Sequence, residues 1–269
     1  MRTQFMAGVT AMATTLVLIG TAQAQLITYE GFEYATGALE GENGGVGFGG
    51  NAWTGSGDVA AATLSFGTLQ TSGGSAVGFG ANNGGFRGLA NTLTTGAGGQ
   101  SFFLSYLFRG ENVTNEYQGL ALFNGGSENF FTGKPIGTTE LGFVNYPGGG
   151  SGTTGSGVLM QSATTYFLVY QFEQINSGAN ENVRLFVNPG ATLGTPNAEV
   201  LGGNPFTFGR FRLQGGGPAY SYDEIRIGST YADVAPGIAA SVVPEAGSLT
   251  LLLPALGVLG AVVAARRRK

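Results

Sequence analysis

The chain has 269 residues, 50 of them Gly, with no Cys, no His and a formal charge of −4. The missing Cys excludes a disulfide framework, a thiolate metal site and a Cys nucleophile. The missing His excludes a Ser-His-Asp triad, a His-zinc centre and imidazole acid–base chemistry. Charged residues are 10% of the chain and the pI is about 4.9, so there is no basic face to neutralise nucleic-acid phosphates.

The first segment carries Arg2, an apolar run through Leu16, Val17, Leu18 and Ile19, and then Ala22-Gln23-Ala24. A basic start, a short apolar stretch and an A-x-A site describe a secretory signal peptide over residues 1–24. Signal peptidase would cut after Ala24 and leave Gln25 first. An uncleaved anchor or a buried helix is the alternative.

From 25 to 240 there are seven basic and fifteen acidic residues, a charge of −8. No nucleic-acid or anionic-lipid partner is expected on that balance. Gly, Ser, Thr and Asn dominate several stretches, such as Gly148 to Gly157. Aromatic and branched blocks recur between them, which argues against disorder. The blocks read as strands: Leu26 to Tyr29, Ser101 to Phe108, Leu120 to Phe123, Tyr166 to Phe172, Val183 to Val187, Phe206 to Leu213 and Tyr222 to Ile227. In the last, alternation places Ile225 and Ile227 on one face, with Tyr222, Glu224 and Arg226 on the other. Asn124-Gly125-Gly126, Asn188-Pro189-Gly190 and Gly215-Gly216-Gly217-Pro218 separate the blocks as turns, and the Gly-rich runs are read as turns throughout. No stretch shows sustained helical periodicity. Short strands without helices imply an all-β, two-sheet antiparallel sandwich.

Tyr29-Glu30-Gly31-Phe32-Glu33-Tyr34, Gly37-Ala38-Leu39, Asn43-Gly44-Gly45-Val46-Gly47-Phe48 and Trp53 open the domain. Leu185-Phe186-Val187-Asn188-Pro189 and Asp223-Glu224-Ile225-Arg226-Ile227-Gly228 come later. This series resembles the laminin-G-like, concanavalin-like jelly-roll domains, over roughly 25–235. The resemblance implies two curved sheets stacked face to face and no particular activity.

Carboxylates close in sequence are Glu30 with Glu33, Glu40 with Glu42, and Asp223 with Glu224. A glycosidase needs two facing one cleft. Glu40 and Glu42 sit in a loop-like stretch, and the members of the other two pairs differ in strand parity, so no catalytic residue is expected. Asp58, Asp223 and Asp233 are the only Asp of this part, and no D-x-D-x-D-G loop occurs. Backbone carbonyls and Asn could complete a Ca2+ site, but nothing indicates one, and neither a metal nor another cofactor is expected. Trp53, Tyr146 and Tyr220 are candidates for an aromatic sugar platform, with core packing as the alternative for Trp53.

After a linker over 236–242, Val243-Pro244-Glu245 precedes twenty uncharged residues, Ala246 to Ala265, which include Leu251, Leu256 and Val262. At helical rise they span about 30 Å, the thickness of a hydrocarbon core. Arg266, Arg267, Arg268 and Lys269 follow and would hold that end in the cytoplasm. A Pro-Glu element, one transmembrane helix and an Arg-rich tail resemble the PEP-CTERM sorting signal, here Val243 to Lys269, although Ala246 stands where the common motif repeats Pro. The resemblance implies an exosortase-like partner acting near Pro244-Glu245, with the span as a temporary membrane anchor. A plain C-terminal anchor is the alternative.

The expectation is an exported bacterial protein of the cell surface, outer envelope or extracellular matrix, non-enzymatic, in contact with exopolysaccharide or other envelope components. A dedicated carbohydrate-binding module and a glycoside hydrolase or lyase are the alternatives.

Overall fold

The computed structural model describes residues 25–79, 84–95, 101–145, 152–175, 180–215 and 220–238. The expected signal peptide, Tyr146, and the sorting motif with its span and tail lie outside them.

Two antiparallel sheets form a sandwich with almost no helix. The first holds, in spatial order, β14 (Ala198–Gly203), β13 (Asn180–Val187), β12 (Thr164–Ile175), β7 (Phe102–Gly110), β16 (Tyr220–Gly228), β5 (Ser75–Val77), β4 (Asp58–Ala60) and β2 (Gly37–Ala38). β1 (Leu26–Glu30) also pairs with β16. The second runs β11 (Gly152–Leu159), β10 (Glu140–Asn145), β9 (Ser127–Lys134), β8 (Gln118–Asn124), β15 (Thr207–Gln214), β6 (Gly85–Thr94) and β3 (Thr54–Gly55). The one helix among the described residues, α1 (Tyr231–Val234), starts at a capping box between Thr230 and Asp233.

Strand alternation builds the core. Phe102, Leu104, Tyr106 and Phe108 of β7 and Leu168, Tyr170 and Phe172 of β12 pack against Leu120, Leu122, Phe130, Phe143, Phe208, Phe211 and Leu213 of the other sheet. The opposite face of the first sheet is also covered. Leu107, Phe167, Val169 and Phe186 lie under Leu64, Leu69, Val234 and Ala235. A strand buried on both faces reads as a continuous apolar run, which is why Tyr166 to Phe172 stood out. Pro236 and Gly237, expected to open a linker, are tied down instead: their carbonyls accept from Gln70 N at 2.9 Å and the Thr68 hydroxyl at 2.6 Å.

Tyrosine hydroxyls bridge the sheets. Tyr170 accepts from Gly133 N at 2.9 Å and donates to the Gly142 carbonyl at 2.9 Å, and Tyr222 donates to the Gly119 carbonyl at 3.1 Å. Gly119, Gly133, Gly142 and Gly155 pair in register as one row across β8, β9, β10 and β11. Gly133 has φ 113°, and a Cβ there would come within 2.4 Å of the Gln118 carbonyl. The Gly-rich stretches are therefore not all turns. Gly152–Leu159 is an edge strand, held by backbone hydrogen bonds that need no apolar side chain.

β16 departs from simple alternation. The register slips by one residue between Asp223 and Arg226, and Glu224 takes φ 55°. This β-bulge flips the parity, so Tyr220 and Tyr222 before it and Ile225 and Ile227 after it all enter the core. Tyr222 thus faces inward with the isoleucines, contrary to strict alternation. The bulge separates the residues that pair with β5 from those that pair with β1.

Tyr170→Phe should destabilise the sandwich by about 1–3 kcal/mol, because Gly133 N and the Gly142 carbonyl lose a buried partner. Urea unfolding measures this; an unchanged midpoint would show the bridge to be dispensable.

Candidate functional site

Three of the candidate carboxylates are structural anchors. Glu30 is buried and accepts from Trp53 Nε1 at 3.0 Å, the Tyr34 hydroxyl at 2.8 Å and Phe32 N at 3.0 Å. Arg87 lies 3.8 Å away, stacks on Phe48 at 4.3 Å, and donates to the carbonyls of Glu42 and Gly44 at 2.8 and 2.7 Å. The opening motif therefore converges on one buried ion pair. Its partner Glu33 is exposed, and Glu40 and Glu42 lie on a loop.

The bulge turns Asp223 and Glu224 to one side of β16, not to opposite faces as plain alternation implies. Asp223 accepts from the Thr63 hydroxyl at 2.8 Å, Leu64 N at 2.9 Å and Glu224 N at 2.8 Å. Glu224 accepts from Ser72 N at 2.6 Å and the Tyr29 hydroxyl at 3.3 Å, and pairs with Arg226. Burial pushes the Asp223 carboxyl up to about 8 and raises Glu30 and Glu224 too, against the pull of their donors. These acids fasten the 63–72 segment across the first sheet, and their side chains are closed to solvent.

The sugar-platform expectation fails for two of its three residues. Trp53 is 1% exposed, with its ring 5.7 Å from Phe32 and 5.6 Å from Phe211. Tyr220 is 2% exposed, stacks on Phe108, and donates to the Asn112 carbonyl at 2.8 Å. Enclosed rings offer no face to a ligand; both serve the core. Among the described residues no three acidic side chains cluster as a metal site would need.

The open surface feature is on the outer face of the seven-stranded sheet. Between the pairs Leu93–Phe208 and Gly88–Arg210, β6 spends four residues, Leu89 to Thr92, where β15 spends one, Gly209. This bulge opens a groove of about 530 Å3. Asn51, Thr54, Thr92 and Asn124 supply polar groups along it, with Phe86 and Arg210 in its lining. Gly88 and Gly209 keep it clear: a Cβ on Gly88 would meet Asn51 Nδ2 at 3.0 Å.

Beside the groove, Phe86 and Phe123 meet edge to face at 5.6 Å, next to Phe131, Val144 and Tyr117. Arg210 lies 4.7 Å from the Phe86 ring and 5.3 Å from Phe123. Arg212 stacks 4.9 Å from Phe123 and binds Glu128 at 2.8 Å. Sequence reasoning missed this cluster. Its signal was the alternation in Phe208-Gly209-Arg210-Phe211-Arg212-Leu213, which sends both Arg outward once Phe211 and Leu213 are placed in the core.

No family model matches this chain, and no curated protein does. Solved structures share the sandwich at low similarity. Domain 4 of AbnA, a GH43 extracellular arabinanase from Geobacillus stearothermophilus in complex with arabinotriose, is 15% identical with a TM-score of 0.45, over 76% of this chain and 92% of that one. The T. cruzi calreticulin globular domain is 11% identical with a TM-score of 0.40, over 78% and 90%. The VIP36 exoplasmic/lumenal domain, in a Ca2+/Man3GlcNAc-bound form, is 12% identical with a TM-score of 0.34, over 70% and 90%.

Glu181 is buried in β13, neither of its carboxyl oxygens has a hydrogen-bond partner among the described residues, and burial pushes its carboxyl up to about 7. A carboxyl raised on folding favours the folded state at low pH. That contribution fades as pH climbs from the unfolded value, near 4.5, through about 7. Melting temperature should fall over this window and fall less in Glu181→Gln; identical slopes would refute the assignment.

Proposed function

We propose that this chain is an exported bacterial cell-surface or extracellular-matrix protein whose laminin-G-like jelly roll is a non-enzymatic binding module. Its contact surface is the outer face of the seven-stranded sheet, and its partner is exopolysaccharide or a related envelope component. The observation that carries this reading is the groove of about 530 Å3, which falls within the ordinary size range of ligand sites and combines a phenyl ring with short polar side chains. Support for a non-enzymatic role comes from Glu30, Asp223 and Glu224, whose carboxylates are engaged by backbone and side-chain donors away from this groove.

On this reading signal peptidase removes residues 1–24, and the C-terminal span anchors the chain in the inner membrane until an exosortase-like enzyme acts at Pro244-Glu245. The protein then belongs to the surface, outer envelope or matrix. The sequence patterns at the two ends support this part.

Two measurements test the reading. Native gels containing envelope polysaccharide should retard the protein, and Thr92→Trp, which fills the groove from an exposed position, should abolish the shift; retardation unchanged by Thr92→Trp moves the site elsewhere. Release of reducing ends would contradict the non-enzymatic role. Mass spectrometry of the exported protein should find Gln25 first and a C-terminus near Pro244, whereas intact Met1 or Lys269 would refute the corresponding processing step.

A further inference from the structure

We propose, resting on the reading of the sandwich as a polysaccharide-binding module, that the outer-face groove is a subsite for a carboxylate-bearing sugar unit, with the Arg210 guanidinium as the group that recognises the carboxylate.

Seven basic residues lie between 25 and 240. Arg87 pairs with Glu30, Arg109 with Glu111, Arg184 with Glu173 and Glu199, Arg212 with Glu128, and Arg226 with Glu224. The Lys134 ammonium donates to the carbonyls of Pro135 and Thr138 at 3.0 and 3.1 Å. Arg210 differs from all six. Among the described residues its side chain makes neither a hydrogen bond nor an ion pair, and its contacts are the rings of Phe86 and Phe123; its Nε is buried without an acceptor, as are those of Arg87 and Arg212. The same segment of chain holds fifteen acidic residues, and among the described residues none forms an ion pair with Arg210.

The rings do more than enclose the charge. A guanidinium stacked on aromatic faces is held flat and loses little freedom when it binds. Its fork of N–H donors matches a carboxylate in two parallel hydrogen bonds. Arg210 lines the groove, where a bound ligand would meet it. Asn51, Thr54, Thr92 and Asn124 line the same groove with amide and hydroxyl groups, the partners that sugar hydroxyls need. A carboxylate on a hydroxyl-rich ring satisfies both halves of the lining. The overall negative charge repels an acidic polymer at long range, but salt largely screens that repulsion beyond about 8 Å at physiological ionic strength. A contact hydrogen bond is screened much less.

The test compares the full-length chain with Arg210→Gln, Arg210→Lys and Thr92→Trp by calorimetric titration at physiological salt. The probes are polygalacturonate, a neutral galactan, sulfated dextran and poly-glutamate. The expected result is preference for polygalacturonate, at least about tenfold weaker binding in Arg210→Gln with unchanged melting temperature, partial retention in Arg210→Lys, and loss in Thr92→Trp. Arg210→Gln binding polygalacturonate like the parent would overturn the assignment. Equal affinity for galactan would remove acid selectivity and leave the module reading standing. Tighter binding of sulfated dextran would replace carboxylate by sulfate, and poly-glutamate as the sole ligand would replace sugar by an acidic protein segment. Absence of binding to every glycan would overturn the module reading itself.

Discussion

A buried acid is stabilised by the donors it is given, and three buried acids, Glu30, Asp223 and Glu224, fasten much of this domain through such donors. Glu30 gathers the indole of Trp53, the hydroxyl of Tyr34 and a backbone N–H, with Arg87 beside it. Asp223 and Glu224 gather the segment at 63–72. Removing any of these acids would leave buried donors unsatisfied, which costs more than the hydrogen bond itself contributes. The bulge at Glu224 makes the second arrangement geometrically feasible. It sends two successive carboxylates to one side while Tyr222 and Ile225 both enter the core. β1 and β5 can then share one edge of β16.

The consequence for function is subtraction. Acids that fasten the fold are withdrawn from chemistry at the surface, and most cations are tied to acids or carbonyls. Among the described basic residues, the one with no ion pair or hydrogen bond, Arg210, is on the outer face of the second sheet. There the wide bulge of β6 against Gly209 makes space, and Arg210 rests on two phenyl rings. The same sheet presents aromatic mass inward, where Phe130, Phe143 and Phe211 fill the sandwich. One face of these strands thus serves stability, and the other is the face proposed for recognition.

Much of the fold was legible in the sequence. The aromatic blocks at Ser101 to Phe108 and Tyr166 to Phe172 became the central strands β7 and β12, because burial on both faces leaves a dense apolar record. β9, β10 and β11 were not read. Their glycines and threonines answer to tyrosine hydroxyls from the other sheet and to backbone pairing within their own, a constraint that local pattern does not carry. The Glu224 bulge was equally hidden, since one residue in a left-handed conformation reverses every later inward and outward assignment on β16. Trp53 and Tyr220 were candidates for a sugar platform; the structure places both in the core, the reading already open for Trp53, each with its polar tip matched inside. Arg210 could have been found. It stands in a two-residue alternation with Phe and Leu, in a chain with few cations.

Backbone amide exchange of the full-length chain, with and without polygalacturonate, tests the central claim most directly. The account predicts new protection confined to peptides covering 51–54, 86–92, 123–125 and 208–212, with the 63–72 segment unchanged. Protection that instead falls on 63–72 and β16, with the groove peptides unaffected while ligand is bound, would contradict it.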